Sequence, residues 1–303
     1  EISECLVGSE MCIRDRVRSL KLQWAYGVEQ IVSRSKRQMQ EAARFAALCA
    51  DAGCRLILLK GIGLSRYYPV PLQRECGDID ILLPEGFEIG NEIAKSHGMT
   101  ISGLDYKHNH IYSNGIMFEN HRYLTSFKGK NDIRRLEKIL QNAIKEGNFA
   151  PFGDAGFYAL SPTANALYIT YHSFFHFLIE GITLRHLLDW ALFVKAEQDT
   201  IDWIRFYSIC DDLGFSRFAN TLNAIAADVW GISLANPGMS FDRCLLDRVL
   251  DDVLAQRRHV SGLPLYKRRP LLICNMLLSR WKYRQLYGRS FLGEMMRSVS
   301  GCL

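Results

Sequence analysis

Asp78 and Asp80 are the residues whose types and spacing most directly suggest chemistry. They lie in Gly77-Asp78-Ile79-Asp80, which runs into Ile81-Leu82-Leu83. This apolar run is short, rich in Ile and Leu, and bounded by Gly77 and Pro84, which is the pattern of a buried strand. Side chains alternate faces along a strand, so Asp78 and Asp80 share one side while Ile79 enters the core. Two carboxylates about 7 Å apart repel each other unless a cation lies between them. Hard divalent cations such as magnesium take oxygen ligands of this kind and commonly bind substrate phosphates as well.

The elements that must position this pair begin upstream. The apolar run Leu56–Leu59 reads as a second strand and ends at Lys60-Gly61. Residues 63–68 supply a short helix whose N-terminus would face phosphates, and Pro69 and Pro71 end it. Arg74, four residues before Asp78, reads either as a structural salt bridge or as a bidentate phosphate contact. Lys60 reads either as a strand-end lysine reaching water or as a phosphate ligand. Further on, Asn114-Gly115 sits between two alternating runs in HNHIYSNGIMFENHRYL, residues 108–124, a strong hairpin signal. On its second strand Met117, Glu119 and His121 share one face.

Lys60-Gly61, Tyr68-Pro69, Arg74 and Gly77-Asp78-Ile79-Asp80 together resemble a bacterial family of uncharacterised nucleotidyltransferases. That family falls in the DNA polymerase β-type superfamily. The wider superfamily usually carries Gly-Ser or Gly-Gly at the turn, whereas here Ile62 follows Gly61, with Gly63 and Ser65 further on. The resemblance implies a magnesium pair on Asp78, Asp80 and a third acid on a neighbouring strand, where Glu119 falls. It also implies a nucleoside triphosphate held near Lys60, Gly61, Gly63, Ser65 and Arg74. His121 matches a histidine often found two residues after the family's third acid. The segment YHSFFHFLIEGITLRHLLDWALFVK extends the resemblance to roughly residues 40–200. Within it His172 and His176, and Arg185 and Asp189, are each four apart and so share a helix face; they are the candidate acceptor contacts.

The expected architecture is α+β: a small mixed-sheet nucleotidyltransferase domain followed by an all-helical C-terminal domain. A helical segment over residues 17–53 leads into the catalytic domain at 54–155, and helices occupy 156–303. Residues 1–16, EISECLVGSEMCIRDR, resemble translated sequencing-adapter read-through and are expected to be an artefactual leader. The 303 residues fit two domains, and 48% hydrophobic with 23% charged residues is the balance of a soluble globular chain. Nine cysteines without Cys-x-x-Cys spacing read as reduced thiols in the cytoplasm rather than a disulfide or zinc framework. No apolar run approaches a membrane span.

A net charge of +5 suits an anionic ligand without demanding nucleic acid. Basic residues concentrate late: Lys267, Arg268, Arg269, Arg280, Lys282, Arg284, Arg289 and Arg297 interleave with Trp281, Tyr283, Tyr287 and Phe291. That stretch reads as a solvated basic face, a membrane-surface helix or a nucleic-acid patch. The expected reaction is magnesium-dependent transfer of a nucleoside monophosphate to an acceptor that is a small molecule, a protein or RNA. A non-catalytic nucleotide-binding or interaction module, or an RNA-modifying or RNA-binding protein, are the alternatives.

Overall fold

The computed structural model describes residues 18–103, 105–126, 131–152, 156–234 and 242–255, and isolated positions between 264 and 293, chiefly 277–287. The expected leader at residues 1–16, and Lys267, Arg268, Arg269, Arg289 and Arg297 of the basic stretch, lie outside the described residues. The chain divides into two compact units. One holds the described residues up to Leu124 together with Leu140–Ser161, and the other holds Thr125–Ile139 and the described residues from Pro162 onward.

The first unit is built on a seven-stranded mixed sheet. Its strands are β1 (Ile57–Leu58), β2 (Ile79–Leu82), β3 (Thr100–Ser102), β4 (His108–Ser113), β5 (Ile116–His121), β6 (Phe149–Pro151) and β7 (Tyr158–Leu160), in spatial order β3-β4-β5-β2-β1-β7-β6. Helix α1 (Arg18–Asp51) and α3 (Phe87–Ser96) supply the apolar cover for one sheet face. Ala42, Phe45, Ala46 and Cys49 of α1 share a core with Ile79, Ile81, Ile111 and Phe118, and the Phe45 and Phe118 rings meet edge-on at 5.4 Å. Beneath α3 the polar side chains of that face pair with each other. Asn109 and Asn120 donate to Asn91 Oδ1 at 2.7 and 3.1 Å, and Asn120 also donates to the Phe87 carbonyl. Their N–H groups are satisfied in this way, while the side-chain oxygens of Asn109 and Asn120 are buried without a hydrogen-bond partner.

The helix expected over 63–68 is a single turn, α2 (Ile62–Ser65), too short to build an appreciable dipole. It lies close on β1, since a Cβ added at Gly63 would stand 2.9 Å from the Leu58 carbonyl oxygen. The Asn114-Gly115 turn forms as expected, with φ of 49° and 75°, the doubly left-handed geometry that matches strand twist in two-residue hairpins. Strands β3, β6 and β7 were not expected. Each is three residues long, too short for alternation to show.

The second unit is helical in its described residues: α5 (Pro162–Ile179), α6 (Leu184–Glu197), α7 (Trp203–Leu213), α8 (Ser216–Trp230) and α9 (Arg243–Leu254), while α4 (Asn131–Lys145) is divided between the units. Trp190, Phe177, Phe193, Phe206, Phe215 and Phe218 fill its centre. The buried Trp190 N–H donates to Asn223, whose amide donates to Tyr207. Lys282, read from sequence as part of a solvated basic face, is fully buried instead. Its ammonium donates to Asp252 and to the Phe177 carbonyl, both at 2.7 Å. No described helix is long and apolar enough to cross a membrane.

Candidate metal centre

The sheet face opposite α1 and α3 carries the chemistry. Strand β2 pairs in parallel with β5 in the register Asp80↔Glu119, and β4 pairs antiparallel with β5 in the registers His110↔Glu119 and His108↔His121. Alternation then sets Asp80, Glu119, His121, His108 and His110 on one face, while Ile79, Phe118, Asn120, Asn109 and Ile111 take the other. Asp78, just before β2, joins the first group. One carboxylate oxygen from each of Asp78, Asp80 and Glu119 lies within 4.8 Å of the others.

Charge in this cluster is unevenly balanced. Asp80 is 2% exposed, and its Oδ1 accepts from Lys60 Nζ and from His121 Nε2 at 3.0 Å. Burial alone would raise the pKa of Asp80, but the Lys60 charge and the His121 hydrogen bond hold it well below the ordinary carboxylate range. Asp78 lacks equivalent partners. Burial, then the neighbouring Asp80 charge, push it up to about 6, with a side-chain hydrogen bond to Glu119 adding to the rise. Burial opposes ionisation of Glu119 too, yet the His121 N–H and nearby positive charge bring it down to about 2.

His121 links the two acids. Its Nδ1 lies 3.3 Å from the Tyr123 carbonyl oxygen, which only accepts, so Nδ1 carries a proton. Its Nε2 stands 3.0 Å from Asp80 and 3.5 Å from Glu119. Two acceptors facing one ring nitrogen require a proton there as well. Burial lowers the pKa of His121, but its bonds to Asp80 and Glu119 outweigh that and raise it.

The remaining candidates fall in varied places. Gly61 has φ 61° and a Cβ there would lie 3.7 Å from both the Asp78 carbonyl oxygen and Asp80 Oδ2, so the left-handed turn carries the chain past the acidic cluster. Ser65 is buried, and its hydroxyl donates to the Ile62 carbonyl at 2.8 Å. Arg74 is buried, with Nη1 directed to the Glu75 carbonyl and the Cys76 sulfur and its guanidinium over the Tyr68 ring. His172, His176, Arg185 and Asp189 belong to the second unit. The His172 and His176 rings are 4.5 Å apart, and His186 lies within 6.5 Å of each. Asp189 is buried and Arg185 exposed.

Sequence reasoning gave no role to His108 and His110. The signal was present, because His108 and His121, and His110 and Glu119, are equidistant from the Asn114-Gly115 turn, so a two-residue hairpin makes them cross-strand partners. The donor set of Asp78, Asp80 and Glu119 fits a hard divalent cation. Three convergent carboxylates repel one another, and the raised pKa of Asp78 marks a cluster that ionises against that repulsion despite Lys60 and His121. No curated protein and no solved structure matches the chain. A family model described as uncharacterised nucleotidyltransferase matches residues 8–231, well over half the chain. With that match and an acidic cluster able to hold a metal, the chain belongs to the uncharacterised nucleotidyltransferase family.

Proposed function

We propose that the protein transfers a nucleoside monophosphate from a nucleoside triphosphate to an acceptor hydroxyl or phosphate. The acceptor oxygen forms the new bond to the α-phosphorus, and pyrophosphate leaves. The observation that carries this reading is the convergence of Asp78, Asp80 and Glu119 oxygens within 4.8 Å in a chain of this family. Asp78, Asp80 and Glu119 would hold magnesium, which when bound neutralises phosphate charge and lowers the pKa of the attacking oxygen.

The chain's own residues prepare that site. Lys60 and His121 keep Asp80 ionised while it is buried, so one ligand is ready without a proton to displace. Asp78, with its pKa raised to about 6, would have to be deprotonated to act as a ligand. Lys60 stays at the cluster as a positive charge able to meet phosphate oxygens. Gly61 leaves the approach to Asp80 clear of a side chain.

The test incubates the full chain with magnesium, cell extract and each of ATP, CTP, GTP and UTP labelled at the α-phosphate. Labelled acceptors are then sought by mass spectrometry and by loss of label from the triphosphate. One triphosphate is expected to label an acceptor, and Glu119→Gln is expected to lower the yield by ~10³-fold, the scale of lost transition-state electrostatics. Equal labelling by Glu119→Gln and wild type would contradict the assignment.

A further inference from the structure

Beside the acidic cluster lies a second donor set of different chemistry. His108 and His110 on β4 and Glu119 and His121 on β5 form a two-by-two grid on the sheet face. Ligand atoms of His108, Glu119 and His121 all fall within 4.8 Å of one another. His108 Nε2 and His110 Nε2 stand 3.8 and 3.9 Å from Glu119 Oε1, and His121 Nε2 stands 3.5 Å from Glu119 Oε2. The 3.8 and 3.9 Å separations are too long for hydrogen bonds. They are near the spacing of neighbouring ligands around a tetrahedral ion with bonds of about 2.0–2.1 Å, which is about 3.3–3.4 Å.

Two further features point to a ligand. His108 Nδ1 is shut away from solvent without a hydrogen-bond partner, and the ring's other nitrogen, Nε2, is the one that faces Glu119. His121 Nδ1–H donates to the Tyr123 carbonyl, the outer contact by which a metal-bound imidazole is commonly oriented; its Nε2, which donates to Asp80 Oδ1, would give up that proton to ligate the ion. Packing serves the same grid: Gly103 lies so close to His110 that a Cβ there would come 2.8 Å from Nδ1.

We propose that His108, Glu119 and His121, with His110 at the rim, form a second metal site, selective for a borderline cation of the zinc and cobalt class. Imidazole nitrogens favour such ions, whereas magnesium prefers the all-oxygen set next door. Glu119 belongs to both sets, so its two oxygens would join the two ions. The site rests on the histidine grid and stands whether or not the neighbouring cluster performs nucleotidyl transfer.

The experiment titrates Co2+ into metal-free full-length protein in excess Mg2+ and follows visible absorption. One equivalent is expected to bind with the strong bands of low-coordinate, nitrogen-ligated cobalt. Zn2+ should displace it. His108→Gln should weaken Co2+ by at least about 100-fold, the upper end of what loss of an outer-shell partner alone costs. Asp78→Asn, outside the nitrogen set, should keep the cobalt bands while losing magnesium-dependent triphosphate binding, which separates this site from the proposed transfer activity. Only the weak bands of oxygen-ligated cobalt in the wild type, or an unchanged affinity in folded His108→Gln, would overturn the site. If His108→Gln does not fold, the wild-type spectrum decides.

Discussion

Asp78→Asn is expected to raise the melting temperature of the metal-free protein at about pH 7.5, and Asp80→Asn to lower it, although both should abolish transfer. The residues are two apart on one strand and chemically identical, so sequence alone predicts the same response from both, namely relief of repulsion. Their surroundings separate them. Asp78 carries a pKa of about 6 against an ordinary 3.8. Its protonated form is therefore favoured by the fold, and its stabilising contribution is complete below the ordinary value and lost as pH rises through about 6. A neutral Asn escapes that loss, worth at most about 3 kcal/mol. The advantage should vanish below about pH 4.

Asp80 runs the other way. It is the buried counter-ion of Lys60 and His121, and its pKa is depressed, so its contribution is present at neutral pH and lost in acid. Removing the charge takes from Lys60 and His121 the carboxylate both bond, leaving them only Glu119 and Asp78 nearby among the described residues, and breaking a buried pair costs about 3–5 kcal/mol. Melting curves of both variants at pH 4 and pH 7.5, taken without metal, check the two signs. A rise in both, or a fall in both, at the higher pH would refute this charge balance.

Divalent-cation affinity should fall about tenfold per pH unit below pH 6 and level off above it. The cause is the proton that Asp78 holds below about pH 6, which a cation must displace. Asp80 and Glu119 stay ionised through this window, since their pKa values lie well below the ordinary range and at about 2. Calorimetric titration of magnesium in two buffers of different ionisation heat would measure the affinity and count the proton released. Uniform affinity between pH 5 and pH 7 would place the proton elsewhere.

The parts of the site legible in the sequence are those governed by local rules. Asp78 and Asp80 are visible because strand alternation alone sets them on one face. The Asn114-Gly115 turn is visible because few residue pairs accept two left-handed conformations, and it fixes β4 against β5. Glu119 needed the family resemblance, since its neighbour Asp80 belongs to a parallel strand pair whose register no turn determines. The partnership of Lys60 and His121 around Asp80 was not legible. It joins residues 20 and 41 positions from Asp80 and depends on how far each side chain is buried. Arg74 shows the same limit: its burial and its contacts with the Glu75 carbonyl, the Cys76 sulfur and the Tyr68 ring cannot be read from position. The late basic run misled at Lys282, because charge spacing does not reveal that Asp252 lies within reach.

The most direct measurement is calorimetric titration of each nucleoside triphosphate into wild-type protein and Asp78→Asn, with and without magnesium. Asp78→Asn is the right variant because it is expected to fold at least as well as wild type. The account predicts that wild type binds at least one triphosphate in a magnesium-dependent manner and that the magnesium dependence disappears in Asp78→Asn. Triphosphate binding that is indifferent to magnesium, or equally magnesium-dependent in both proteins, would contradict the assignment of the Asp78–Asp80–Glu119 cluster as the cation and nucleotide site.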